Sequence, residues 1–461
     1  MKTMSVNRKW FEDSGVRLDA SFHLSDGLLT LHKLKKCPYP MGLLKDETER
    51  IFKGGIFKRT YVDSIENGYD FITASDMMKS DILGAKFISK KYSSIDHLFV
   101  DKGWTLVSRS GTLGNTAFTN EIFEDKVLTD DLIRIVPNNK NILGGYLYAF
   151  LSSHYGYGLL TQSGYGGVVQ HIEPHHIENI PIPILPEATQ QKIHNLITEA
   201  SQLRVQANKL LKESVAKIDN FLGNKRDNKI LTGKVSISEI SNGNQSRIDA
   251  PTFINESVIY KKLLHHENIK FSSISDLGFK VTRPGIFKRV KVDGFNGIPY
   301  IKGSELNKLN PFGSCEYLSK TKTPFLDQLK LRVGQVLFTC AGTVGDVRLI
   351  SKEFEDCNAV GSQDIIRIDQ GTSDISNLYL FAFLKTRFAK EYAQSLKYGS
   401  VIERVEPFHV GSIPIAIPEN NIYNEIVNSI GIYNDSMYLA FVKEKTAIDL
   451  IEKEIDQWQQ L

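Results

Sequence analysis

Cysteine is scarce: the 461 residues hold four, Cys37, Cys315, Cys340 and Cys357, with no CxxC pair among them. A disulfide framework or a zinc ribbon has nothing to stand on, and a reducing cytoplasm is the expected compartment. Long apolar runs are missing as well. None approaches the roughly 20 residues that a bilayer span needs, so no membrane partner is expected. The opening residues, Met1 to Trp10, lack the apolar core of a secretory signal. Charge of one sign is also short: 56 Lys and Arg face 53 Asp and Glu, a net of +3. That balance excludes a bulk polycation that holds nucleic acid by charge alone, and it leaves room for local basic patches. The signatures of catalysis are absent too. Gly233-Lys234 is followed by Val235 and has no glycine five positions earlier, so it makes no phosphate loop. No GxGxxG follows a strand pattern, and HExxH does not occur. Asn310-Pro311-Phe312 lacks the second proline of the tetrad with which amino-methyltransferases hold a target amine. No nucleophile–base pair is legible, which points to a binding protein rather than an enzyme.

What is there is a foldable composition, 41% hydrophobic and 24% charged, and enough chain for roughly two to four domains. The chain also repeats itself. Arg17-Leu18-Asp19-Ala20 returns as Arg247-Ile248-Asp249-Ala250, and Gly55-Ile56-Phe57-Lys58-Arg59 returns unchanged as Gly285-Ile286-Phe287-Lys288-Arg289, both 230 residues later. Ser110-Gly111-Thr112-Leu113-Gly114 matches Ala341-Gly342-Thr343-Val344-Gly345 at 231, and Asp131-Leu132-Ile133-Arg134-Ile135 matches Asp364-Ile365-Ile366-Arg367-Ile368 at 233. Tyr165-Gly166-Gly167-Val168-Val169 pairs with Tyr398-Gly399-Ser400-Val401-Ile402, Ile172-Glu173-Pro174 and His176 with Val405-Glu406-Pro407 and His409, and Ile180-Pro181-Ile182 with Ile413-Pro414-Ile415. The period is far too long for a solenoid. A duplicated domain of about half the chain explains it.

Each half begins with short β-branched and aromatic runs broken by turn residues, such as Trp104–Ser108, Leu132–Val136 and Gln335–Thr339. A helix is expected from about Leu143 to Leu151, and from Leu378 to Tyr392. Proline-punctuated extended stretches follow at Ile180–Pro186 and Ile413–Pro418. Then comes a long helix. Apolar residues at Ile193, Leu196, Ala200, Leu203, Ala207 and Leu210 step by 3 and 4, the seam of a coiled coil. The stripe shifts register to Leu211, Val215, Ile218 and Leu222, and Gly223 is the expected stop. In the second half Ile426, Ile430, Tyr433, Met437 and Ala440 step likewise, and Ile448, Ile451, Ile455 and Trp458 resume the pattern. Helices of this kind reach on the order of 45 Å. The narrow stripes predict that the two helices pack on each other, antiparallel, as a spacer between globular parts.

The identical pentapeptides are the leading contact candidates. Lys53, Lys58 and Arg59 cluster in one half, and Arg283, Lys288, Arg289 and Lys291 in the other. Basic side chains beside glycine loops approach phosphates and base edges, and Arg reads guanine bidentately. Phe57 and Phe287 are expected to anchor the loops to the core. The glycine turns at 108–114 and 339–345 are expected to need positive φ at Gly111 and Gly114. They bring Arg109, Ser110, Thr112 and Thr343 into question as DNA contacts, with Cys340 opposite Arg109. Gln170 and His171 stand against Glu403 and Arg404. The scaffold repeats while the polar side chains between the matches differ, as two readers of two different half-sites would. His171, His175 and His176 crowd together, but only His176 has a counterpart, His409, so a structural or surface role is expected and no metal site.

The strings LVSRSGTLGNTAF, DDLIRIVPN, QDIIRI and IENIPIPILPEATQQKI, in this order and each time followed by a long helix, resemble the specificity subunits of Type I restriction-modification systems. The likeness spans nearly the whole chain. It implies an α+β chain: two pseudo-repeated mixed α/β target recognition domains joined by two long antiparallel coiled-coil helices. The boundaries follow as 1-186 for the first recognition domain, 187-223 for the first helix, 224-418 for the second domain and 419-461 for the second helix. The resemblance further implies that each domain reads one half of a bipartite double-stranded DNA target. The helices set the spacer and dock two modification methyltransferase subunits, with restriction (translocase) subunits as further partners. The chain itself would hold no cofactor, S-adenosylmethionine belonging to the methyltransferase subunits, and would catalyse nothing. Two other readings are a recognition region of a fused restriction-methyltransferase enzyme and a duplicated protein-binding scaffold without DNA contact.

Overall fold

A computed structural model describes residues 25–82, 86–91, 93–162, 171–223, 234–242, 248, 253, 269–399 and 401–458. The repeat at 17–20 and 247–250 (Ile248 apart), the segment 165–169 and Gln170 lie outside the described residues. The chain divides into two units, Met1–Val205 with Leu439–Leu461, and Gln206–Tyr438.

In unit 1, helix α1 (Asp26–Leu34) is capped by Ser25, whose hydroxyl accepts from Leu28 N. Three sheets follow. Strands β1 (Met41–Leu43) and β10 (Pro181–Pro183) pair antiparallel. Strands β2 (Thr48–Lys53), β9 (Leu132–Pro137), β6 (Thr105–Ser108) and β7 (Thr116–Phe118) form an antiparallel sheet in that order. Strands β3 (Tyr61–Val62), β5 (Phe87–Ser89), β4 (Gly68–Ile72) and β8 (Val127–Leu128) form another, parallel only between β4 and β8.

Unit 2 carries the same three sheets in the same order. Strand β11 (Phe271–Ser273) pairs with β20 (Pro414–Ala416). Strands β12 (Lys280–Thr282), β19 (Ile365–Asp369), β16 (Val336–Thr339) and β17 (Val347–Leu349) make the antiparallel sheet. Strands β13 (Lys291–Val292), β15 (Glu316–Ser319), β14 (Gly297–Ile301) and β18 (Val360–Gly361) make the mixed one, again parallel only at its last pair. The duplication read from seven short strings is therefore a duplication of topology.

The helix expected at 143–151 is present and a second one follows it, while the helix expected at 378–392 is two. Gly144–Ser152 (α2) is followed by His154–Gln162 (α3), and Asn377–Lys385 (α6) by Arg387–Ser395 (α7). The break is one extended residue, Ser153 or Thr386, at ψ near 160°. Its hydroxyl donates 2.6 Å to the carbonyl of Phe150 or Phe383 and accepts at 3.2 Å from Gly156 N or Ala389 N. One side chain thus serves the end of one helix and the start of the next, a local bond that hydrophobic periodicity does not register. These helices cover the sheets, and Tyr146 and Tyr379 bind the proline strands through 2.6 Å bonds to the carbonyls of Pro183 and Ala416.

The long helices are α5 (Glu187–Leu222) and α9 (Asn420–Gln457), and Gly223 follows α5 at φ +76°. Each is shared between the units. The buried stripe of α5 departs from the expected one in phase, while that of α9 keeps the expected Ile426, Ile430, Tyr433, Met437, Ala440, Ile451 and Ile455, with Trp458 just past its end, and leaves only Ile448 half-buried. In α5 the buried stripe runs Ile193, Ile197, Ala200, Arg204, Ala207, Leu211, Ser214 and Ile218, an unbroken alternation of 4 and 3, with Gln190, Ser201 and Leu222 also buried. Leu196, Leu203 and Leu210 are half-buried flanks, and no register shift occurs. In α9 the stripe runs Ile426, Ile430, Tyr433, Met437, Ala440, Glu444, Ala447, Ile451 and Ile455. Arg204 and Glu444 are ion-paired with each other, and the Tyr148 hydroxyl donates to Glu444. A seam that contains a charged pair is invisible to a search for apolar residues alone. As α5 advances from Glu199 to Lys217, its ion-pair partners on α9 retreat from Lys443 to Glu425, so the two helices run antiparallel.

Candidate nucleic-acid interface

Both units build the same small polar frame beside the glycine turn. Ser108 Oγ donates to the carbonyl of Thr112 and accepts from Asn115 N at 3.0 Å. Thr339 Oγ1 does the same with Thr343 and Asp346 N, also at 3.0 Å. Gly111 and Gly342 sit at φ +73° and +74°, where an L side chain is strained. Thr112 and Thr343 stand exposed on the turns, and Ser110 is half-buried. His171 bridges to Ser110 and Arg404 to Ala341, antiparallel in both cases. Arg109 N reaches the Asp131 carbonyl at 3.3 Å and Cys340 N the Asp364 carbonyl at 3.1 Å.

A glutamate closes the frame. Glu173 caps the short helix α4 (Pro174–Ile177) and Glu406 caps α8 (Pro407–Gly411). In each, the glutamate N–H donates to a histidine Nδ1, from Glu173 to His176 at 3.0 Å and from Glu406 to His409 at 2.9 Å. The structural role expected for these histidines is this cap.

Around the glutamate the units diverge. In unit 1, Lys53 lies 2.9 Å and Arg109 2.7 Å from Glu173, and Arg109 also holds Asp131 at 2.7 Å. Burial works against the Glu173 charge, yet the hydrogen bonds from Lys53 and Arg109 outweigh it and hold the carboxyl below its ordinary range. In unit 2, Arg283 pairs with Glu406 at 3.0 Å, and the Tyr398 hydroxyl donates to the same carboxylate at 2.7 Å. Cys340, buried where Arg109 stands, has its thiol pushed up by burial, against the pull of neighbouring Arg283.

The repeated pentapeptide loops follow β2 and β12. Phe57 packs edge-on to Phe71 at 6.1 Å and Phe287 to Tyr300 at 6.3 Å, the expected anchors. Arg59 is held by Asp130 at 2.8 Å, next to the Asp131 that holds Arg109. Arg109 and Lys53 share Glu173, the Arg59–Asp130 pair stands one residue along the chain from Asp131, and Lys58 is exposed. In unit 2, Lys288 and Arg289 are exposed, and Lys291 belongs to a separate pair with Glu316 at 2.9 Å. Ile56 and Ile286, inside the same pentapeptides, are 91% and 90% exposed.

The Arg of the repeated DLIRI and DIIRI strings faces inward. Arg134 gives its guanidinium hydrogens to the carbonyls of Leu132, Leu98, Leu128 and Thr129, and Arg367 to those of Ile365, Leu329 and Gly361. Burial pushes both down to about 10, still charged at neutral pH.

Two stretches of the chain, residues 49–216 and 266–435, match the family model described as Type I restriction modification DNA specificity domain. No curated protein matches the chain's sequence. Among solved structures, the chain is similar to the Type-I restriction-modification system S subunit from M. genitalium at 10% identity, covering 92% of this chain and 96% of that one, with a TM-score of 0.34. It is also similar to the HsdS subunit from Thermoanaerobacter tengcongensis at 11% identity, covering 91% and 96%, with a TM-score of 0.29. The family match covers most of the described residues of both units, and the family assignment rests on it.

Proposed function

The chain belongs to the Type I restriction modification DNA specificity family, and on that premise we propose that each unit reads one part of a bipartite DNA target. As a specificity subunit it recognises DNA and catalyses nothing itself, and its partners are DNA and methyltransferase subunits. Two methyltransferase subunits dock on α5 and α9, restriction subunits join them, and the helix pair sets the spacer between half-sites. The recognition domains are 1-186 and 224-418, the helices 187-223 and 419-461, and the complex works in the cytoplasm. Among the described residues no helix is long and apolar enough to cross a membrane.

One observation supports the division of labour. The bridges, turns and glutamate caps repeat between the units. The groups around them are Lys53, Arg109 and His171 in one, and Arg283, Cys340 and Arg404 in the other. A shared frame with unlike polar groups suits two heads that present the same backbone to DNA and read different bases. Lys58, Lys288 and Arg289 supply phosphate contacts at the loops, with Arg59, Ser110, Thr112, Thr343 and Lys291 beside them.

The genome's methylation pattern with the gene present and deleted gives the target. Duplexes carrying that target with one half scrambled then test the reading. Scrambling either half should weaken binding of the chain with its methyltransferase subunits by tenfold or more, at about 1–3 kcal/mol per mismatched pair. Sensitivity to one half only would defeat it. Deleting one heptad from both helices should shorten the spacer, and an unchanged spacer would remove the helices as its ruler.

A further inference from the structure

The sheet that holds the buried arginine differs between the units at one spot. Phe52 lies opposite Arg134 in the β2·β9 ladder, and Thr282 lies opposite Arg367 in the β12·β19 ladder. Just before β6 stands Trp104, edge-on to Phe52 at 5.9 Å; just before β16 stands Gln335. In unit 1 the Phe52 ring also faces two cations, Arg50 at 4.5 Å and Arg134 at 6.0 Å from its centre. An aromatic face there does the work of a counter-charge. In unit 2 the equivalents of these four residues, Lys280, Thr282, Gln335 and Arg367, line a cavity of about 380 Å³ instead.

The charge of that cavity is lopsided. Lys280, Arg283, Lys330 and Arg332 stand exposed around it, with Arg367 buried in its wall, against Asp327 and Asp369. Asp327 is taken by Lys330 at 2.7 Å, and Asp369 accepts from Gln335 at 2.8 Å. Arg283 is taken by Glu406. Lys280, Arg332 and Arg367 have no ion pair among the described residues. Position 332 even reverses charge: two residues before the φ +85° glycine, unit 1 carries Asp101 and unit 2 Arg332. Asp369 acts on Arg367 across the cavity wall, but this one carboxylate faces the three cations Lys280, Arg332 and Arg367, and a pocket of this size lies within the range of small-ligand sites.

We propose that this cavity seats a phosphate oxyanion, supplied either by the backbone of bound DNA or by a free phosphate-bearing small molecule. Lys280 and Arg332 reach it from solvent, and Arg367 balances it from within. Pro284, at the edge of the cavity, leads directly into the Gly285–Arg289 loop, which favours the DNA source. Unit 2 then grips one phosphate that unit 1 cannot, because Phe52 and Trp104 occupy the place. The DNA source rests on the recognition function proposed above; the free-anion source does not.

Two variants of the full chain test this. Thr282→Phe with Gln335→Trp rebuilds the aromatic plug of unit 1, and Lys280→Ala with Arg332→Ala strips two exposed cations without touching the core. If a DNA phosphate sits there, both variants lower the slope of log affinity against log salt for duplex binding by about 1 per lost contact. Inorganic phosphate and pyrophosphate then give no heat on titration. If the source is a free anion, the unaltered chain shows saturable heat with pyrophosphate or phosphate, both variants lose it, and the DNA slope stays put. An unchanged slope together with no anion heat overturns the site. Should the unaltered chain bind no duplex, the recognition reading fails, and the phosphate titration still decides the cavity.

Discussion

Glu173 and Glu406 occupy one position in a duplicated scaffold and are held by different partners, Lys53 and Arg109 for one, Arg283 and Tyr398 for the other. Everything that touches the backbone at that position is the same: the capped helix, the histidine that accepts the cap N–H, and the bridge to the glycine turn. What differs is the set of side-chain heads pointing outward. Backbone bonds cannot vary without leaving buried groups unpaired, whereas half-exposed ion pairs exchange at small cost. A duplicated reader therefore diverges where divergence is cheap, and those are also the positions able to meet a ligand.

The buried arginines are the strongest test of that rule. Arg134→Leu strands four carbonyl contacts and Arg367→Leu three. At about 1–1.5 kcal/mol for each group left unpaired, either change should cost about 3–6 kcal/mol in urea unfolding, and Arg134 the more. Costs under about 1 kcal/mol would show that these arginines are not the common scaffold.

The helix seam gives the next contrast. Glu444→Ala removes the carboxylate that the buried Arg204 pairs with and should cost about 3–5 kcal/mol. Replacing both residues by leucine should recover most of that loss, and a double variant as unstable as the single one would mean the pair itself stabilises unit 1.

That seam also marks how far the sequence could be read. The repeat, the strand runs Leu132–Val136 and Gln335–Thr339, the proline strands and both long helices were legible, because each rests on local pattern. The seam's true phase was not. Its buried Arg204 and Glu444 are charged residues whose burial depends on each other across the helices and on Tyr148. The breaks at Ser153 and Thr386 hinge on single hydroxyl bonds. At the site, the sequence picked out Lys53, Arg109 and Arg283 by type. Asp130, Asp131, Glu173 and Glu406, which hold the cations, stood out only as letters of the repeated strings, because ion pairing across loops leaves no spacing to count. The cavity of unit 2 was hidden for the same reason, since it is the absence of two rings that makes it.

A smaller effect is the pH dependence that Glu173 contributes. The Glu173 carboxyl sits below its ordinary value of 4.5. Its contribution is therefore present above that value and is lost as the pH falls through the lower folded one. Glu173→Gln should cost about 1 kcal/mol at neutral pH and should flatten the acid limb of the unfolding curve. An unaltered acid limb would mean that Lys53 and Arg109 do not hold this carboxylate in solution.

The smallest effect belongs to the seam within unit 2. There Lys217 and Glu425 pair across α5 and α9 as Arg204 and Glu444 do in unit 1, but both side chains are well exposed, at 37% and 59%. Water already solvates each head, so ordering two long side chains gains little. Lys217→Ala should change stability by no more than about 0.5 kcal/mol. Added salt should erase even that difference, while the cost of Glu444→Ala, shielded from solvent, should barely respond. If Lys217→Ala instead cost as much as Glu444→Ala, burial would not be what sets the strength of this seam, and the contrast between its two ends would collapse.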